Sequence, residues 1–236
     1  RGEAVPMITE AFDALNPRLI IVPIFNMDGR CRCPADSMLG EPHDADGYGL
    51  RYYGQGTWRD GSLCGWPQCK MIHPIKEAAG YLGAYYNDDG INLMHDNFFA
   101  PMAEETRALM KLIDEEAPEC VIGLHGGSNS INELLQPDYV PQYTKEGVFN
   151  LASATAALES SFGYKTRVNP VKENNPGFPP PSFNLTSAIH HICGAVSSTY
   201  ESNEGLCEAN GFGAEEILIR HYCLFAALFN CGWEAK

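Results

Sequence analysis

Cys120-Val121-Ile122-Gly123-Leu124-His125-Gly126-Gly127 is the stretch on which the fold turns. A short apolar run ends abruptly in a histidine and two glycines. Ahead of it, residues 103–117 (AEETRALMKLIDEEA) space their apolar side chains along one helical face. Acidic residues in the first turn suit the helix dipole, and Pro118 ends the helix. A helix followed at once by a buried-strand pattern is one step of an α/β fold.

The same alternation extends in both directions. Residues 4–15 (AVPMITEAFDAL) place Val5, Ile8, Phe12 and Leu15 at helical spacing, and Asn16-Pro17 stops them. Arg18–Phe25 (RLIIVPIF) reads as a strand buried on both faces. On the carboxyl side, residues 144–162 carry a helical pattern, and 166–183 form a Pro- and Asn-rich loop. Residues 194–200 (GAVSSTY) suggest a third strand, and 213–230 a final helix. The expected fold is α/β, a mainly parallel or mixed central sheet flanked by helices. One domain over residues 1–236 is expected, with a long loop insertion at about 30–89 that is rich in Gly, Pro, Asp and Tyr. Segments of that length are usually functional.

Composition agrees with a packed domain: 236 residues, 44% hydrophobic and 19% charged. The net charge is −14 and the basic residues never cluster. Nucleic acid and anionic membrane surfaces are therefore not expected partners, since both call for a positive stripe. No run of 18 apolar residues exists to insert into a membrane. Nine cysteines are present. Cys31, Cys33, Cys64 and Cys69 fall in one region and could be a zinc site, disulfides or free thiols. Cys120, Cys193, Cys223 and Cys231 read as small core residues.

In α/β sheets the chemistry gathers at the carboxyl ends of the strands. Three such ends carry polar residues: Asn26–Arg30, His125–Ser128 and Thr199–Ser202. His125 reads either as a ligand or as a structural histidine. Glu201 reads either as a general base or as a solvated glutamate.

The order of these segments resembles the zinc carboxypeptidase (metallocarboxypeptidase) family, carboxypeptidase A-like. IIVPIF followed by Asn26-Met27-Asp28-Gly29 resembles the family's apolar strand and N-P-D-G turn. Trp58-Arg59 is similar to its W-R pair, and Gly90-Ile91-Asn92 through Asn97-Phe98 to its G-V-D-x-N-R-N-[FW] segment. Residues 101–112 resemble the helix that follows. Leu124-His125 resembles the strand end bearing the last zinc ligand, and Thr199-Tyr200-Glu201 the T-x-E bearing the general base.

The resemblance implies an α/β/α hydrolase holding Zn2+, with the metal on an H-x-x-E pair and a later histidine. It implies His125 as the last ligand, Glu201 as general base and Arg59 as oxyanion donor. Glu3 stands where the glutamate of H-x-x-E would fall, which would put the first histidine immediately ahead of Arg1, at which the chain as given begins in place of Met. His73 and His95 are other imidazoles of this half of the chain. The family's carboxylate-gripping arginine has no counterpart in Asn92-Leu93-Met94-His95-Asp96-Asn97. Asn92, His95 and Asp96 are thus substrate-binding candidates for a neutral or cationic group. The implied substrate is a peptide or an N-acyl amino acid, whose amide a zinc-activated water would cleave. The other reading is a non-catalytic domain of this fold that has lost zinc and binds peptide or glycan. Phe178, Phe183 and Asn184 could line a pocket, His190-His191 could be a second metal pair, and Asn184-Leu185-Thr186 is a glycosylation sequon. The composition favours an exported enzyme, periplasmic or extracellular.

Overall fold

The structure, a computed structural model, describes residues 4–32, 48–65, 73–98, 101–128, 132–173, 181–203 and 213–231. Helices α1 (Ala4–Leu15), α2 (Met27–Arg32) and α3 (Tyr48–Gln55) precede a hairpin-like pair, β1 (Gly56–Trp58) and β2 (Ala79–Leu82). After a 3-10 turn at Leu93–His95 come α4 (Glu104–Glu116), β3 (Cys120–Ser128), β4 (Asn132–Leu135) and α5 (Gln142–Ser161). The chain then forms β5 (Thr166–Arg167), α6 (Leu185–Cys193), β6 (Val196–Asn203) and α7 (Ala214–Asn230).

The main sheet has the order β3-β6-β4-β5. β3 and β6 are parallel, β4 is antiparallel to β6, and β5 is parallel to β4. The fold is α/β with a mixed sheet between helices. On one face Leu134, Val196 and Tyr200 pack against Val148, Leu151 and Ala152 of α5 and Leu224 and Ala227 of α7. On the other, Ala195 meets Met110 and Ile113 of α4 and Leu185, Ala188 and Ile189 of α6. Each large aliphatic side chain fully withdrawn from water this way contributes about 1.5–3 kcal/mol. α1 lies outside α7, where Phe12 and Phe229 meet edge to face at 5.3 Å. No helix among the described residues is long and apolar enough to cross a membrane.

Local chemistry sets the helix ends. Both oxygens of Asp96 accept backbone N–H groups, from Asn97 at 2.6 Å and from Ala103, the residue preceding α4, at 2.9 Å. Asn184 caps α6 by accepting from Ser187 N–H at 3.2 Å. Gly194 closes α6 at φ 78°, donating to the His190 carbonyl; a left-handed turn there costs glycine little and lets β6 start two residues later.

Two expectations need correction. Arg18–Phe25 is not a buried strand: it is irregular, and Leu19, Ile20, Ile21, Val22 and Ile24 are all exposed. It is tied at its ends, where Arg18 Nη1 lies 2.7 Å from Glu116 Oε2 and Phe25 packs against the α4–α6 core. An apolar run becomes a strand only with a ladder partner, and β3, at the end of the sheet order, has β6 as its own. The region expected as a loop at 30–89 carries α3 and the β1–β2 pair among its described residues, with its own small core of Cys64, Ile75 and Tyr86. The 166–183 loop begins with the short strand β5.

Candidate functional site

Strand register builds the site. Along β6, Tyr200 and Glu201 point to opposite faces, as consecutive strand residues must. Tyr200 is fully buried on the α5–α7 side. Glu201 is paired in register with His125 of β3 and, across the antiparallel ladder, with Glu133 of β4. Glu133 in turn pairs with Arg167 of β5. Partners in register share a face, so four ionisable groups from four strands stand in one row: His125, Glu201, Glu133, Arg167.

The row is continuous. His125 Nδ1 lies 3.4 Å from Glu201 Oε2, with the imidazole side chain 36% and the carboxylate 17% exposed, open to solvent and sheltered at once. Glu133 accepts from Asn169 Nδ2 at 2.7 Å and lies 3.5 Å from Arg167 Nη1. Ser202 Oγ donates to the His125 carbonyl at 3.3 Å, tying the two strands at the level of the histidine. From outside the main sheet, Tyr85 brings its ring to 6.2 Å from the His125 ring in an edge-to-face approach.

The other expected residues lie elsewhere in the fold. Arg59 follows β1, and its exposed guanidinium is 3.7 Å from Glu77 Oε2. Asn92 is buried and caps the 3-10 turn, its Oδ1 accepting from Met94 N–H at 3.1 Å while its own N–H donates to His73 Nδ1 at 3.3 Å. His95 closes that turn, and Asp96 holds the start of α4 as described above. Glu3 lies outside the described residues, as do Cys33, Cys69 and Phe178. Cys31 is an exposed free thiol, and Cys64 is buried. His190 is buried with Nδ1 2.9 Å from the Ala195 carbonyl and 3.3 Å from Thr144 Oγ1. His191 Nε2 is 2.7 Å from the Tyr139 carbonyl. These two histidines tie α6 to its surroundings.

A hydrolytic zinc takes three protein donors and leaves a fourth position open. Among the described residues no group of three His, Cys, Asp or Glu side chains is placed to hold a metal. Of the expected ligands His125 is the one within the described residues. Its chemistry suits zinc, because a ligating imidazole is ordinarily steered by a neighbouring carboxylate or other outer partner.

Glu133, Asn169 and Tyr85 were missed by reading the sequence. Glu133 sits in a four-residue strand with no apolar run before it, and Asn132-Glu133-Leu134-Leu135 carries no polar–apolar alternation that would reveal it. Comparison with protein-family models, curated proteins and solved structures finds no match. The resemblance to zinc carboxypeptidases therefore rests on motifs within the chain.

Proposed function

We propose that the His125–Glu201 row is the catalytic centre of a zinc-dependent metallohydrolase that cleaves the amide bond of a peptide or N-acyl amino acid. The observation that carries this reading is the juxtaposition of His125 and Glu201 in the carboxyl-terminal halves of parallel strands β3 and β6, 3.4 Å apart and still open to solvent. Two residues 76 positions apart are brought together where α/β folds keep their chemistry.

In this reading His125 is a metal ligand, with Glu3 as a second. Zinc would supply a water acidic enough to react at neutral pH and would polarise the scissile carbonyl. Glu201 is the general base. Its backbone is fixed by the β6 ladder, one Oε lies beside the imidazole, and the carboxylate can take a proton from a water in front of it and return it to the leaving amine. Glu133 keeps a second carboxylate beside it, anchored by Asn169 and paired with Arg167. Arg59 would be the oxyanion donor in this reading.

The test is metal content and turnover on a panel of peptides and N-acyl amino acids. Glu201→Gln should retain zinc and lose about 10²–10⁴-fold in kcat. His125→Ala should lose zinc. Unchanged turnover in Glu201→Gln would remove the mechanism. Peptide binding without zinc or turnover in the wild type would establish the non-catalytic reading in its place.

A further inference from the structure

We propose that Tyr85 is a positioning residue for His125, fixing the plane of its imidazole together with Glu201; this rests on the reading of His125 as a metal ligand. A ligand histidine must present one ring nitrogen along a fixed line, and the partners around the ring set that line. On one side His125 has Glu201 at 3.4 Å. On another it has the Tyr85 ring, at a centroid separation of 6.2 Å and an interplanar angle of 66°. That separation and tilt fall in the edge-to-face range that aromatic pairs prefer.

Tyr85 is not a loose loop residue that happens to touch the site. Its segment is clasped by α2. Asn26 Nδ2 donates to the Ala84 carbonyl at 2.9 Å, while Asn26 Oδ1 accepts from Gly29 N–H at 3.0 Å. Arg32 Nη1 donates to the Gly83 and Tyr86 carbonyls, each at 2.9 Å, and Arg32 Nη2 reaches Asp88 Oδ1 at 2.5 Å. Asp28 Oδ2 accepts from Asp88 N–H at 2.8 Å. From the other side, Tyr53 and Gly54 carbonyls accept from Ala84 and Tyr85 N–H at 2.8 and 3.0 Å. The fit is close: a Cβ on Gly29 would stand 2.1 Å from the Ala84 carbonyl oxygen. Three side chains of α2 and its leading turn, Asn26, Asp28 and Arg32, thus hold residues 83–88, from which one aromatic ring reaches the metal-ligand candidate. The Asn26–Gly29 turn acts on the site at one remove, through Tyr85.

The experiment compares Tyr85→Phe and Tyr85→Leu in the full chain. It reads the His125 ring proton and carbon signals, assigned by their loss in His125→Asn, and the affinity for zinc alone. The Phe variant should keep both as in the wild type, because the ring face and edge survive. The Leu variant should shift the His125 signals and weaken zinc about 2–10-fold, the scale of a lost aromatic pair contact. Unchanged signals and affinity in the Leu variant would overturn the proposal. So would a Phe variant as impaired as the Leu variant, since the hydroxyl would then be the acting group. A Leu variant that fails to fold leaves a measurement on the wild type: nuclear Overhauser contacts between the Tyr85 and His125 rings, whose absence would also overturn it. A wild type that takes up no zinc would defeat the hydrolase reading, while the ring signals and contacts would still decide the role of Tyr85.

Discussion

Glu159 and Glu201 are two carboxylates on either side of the same strand, and they are treated in opposite ways. Glu159, on α5, is wholly buried. Its oxygens accept from Tyr200 Oη at 2.9 Å, from Thr166 Oγ1 and from Arg220 Nη1 at 2.5 Å. Arg220 is itself engaged by Glu216 at 2.8 Å, by the Lys165 carbonyl at 3.1 Å, and by the Tyr164 ring 4.6 Å below it. Glu201, one residue along from Tyr200, has the nearby imidazole and an open side. A carboxylate saturated with donors has no capacity left for a substrate, and one held in place but under-committed does. The contrast supports the proposed role of Glu201 without reference to motif.

The largest expected effect comes from the saturated side. Arg220→Met leaves Glu159 charged, buried and short of its cation, and should cost about 3–5 kcal/mol in urea unfolding. Replacing Glu159 by Leu together with Arg220→Met should cost less than the single change, because no unpaired charge remains. On the open side, Glu201→Gln should move stability by no more than about 0.5 kcal/mol. Equal costs for Arg220→Met and Glu201→Gln would break the comparison.

Next in size, Tyr200→Phe removes one hydroxyl that accepts from Asn132 Nδ2 at 2.9 Å and donates to Glu159. Stranding those buried groups should cost about 1–3 kcal/mol by the same measurement.

The same side should also fail in alkali. Burial, then the charge of Glu159, pushes Cys223 up from 9.0 to about 12, and the same two causes push Tyr200 well above its ordinary 10.0. Folded-state values above the unfolded ones mean that this stability is fully present below pH 9.0 and is lost as pH rises from there toward the folded values. Unfolding free energy should therefore decline above pH ~9, less steeply in Tyr200→Phe. Native-state alkylation should label exposed Cys31 well before Cys223.

The smallest effect belongs to the rim of the row. Arg167 is half exposed at 3.5 Å from Glu133, and Arg167→Ala should cost under about 1 kcal/mol. A larger loss would mean that the row is built for stability rather than for chemistry.

Much of this architecture could be read from the chain, because its long elements repeat their apolar residues at helical or strand spacing. The helices at 4–15, 103–117 and 213–230 and the strands at 120–124 and 194–200 all correspond to elements of the structure. The exceptions have physical causes. Leu19–Ile24 has the composition of a strand, but composition does not supply a ladder partner. β4 spans four residues and β5 two, too short for periodicity to register. Residues 184–193, where the sequence shows a sequon and two adjacent histidines, form the capped helix α6, for which no apolar periodicity is read from the sequence. Of the site, His125 and Glu201 were visible because each ends an apolar run. Glu133 and Tyr85 were not, since cross-strand register and a clasp from α2 are what bring them there.

Leu19–Ile24 also bears on how the molecule behaves in bulk. Five aliphatic side chains open to water in one short run form a surface that other copies can stick to. The net charge of −14 opposes that encounter by long-range repulsion. Salt removes the repulsion and leaves the stickiness: the screening length shrinks from about 10 Å at 0.1 M to about 3 Å at 1 M. Colloidal stability is therefore expected to be best in dilute buffer and to decline as salt is added.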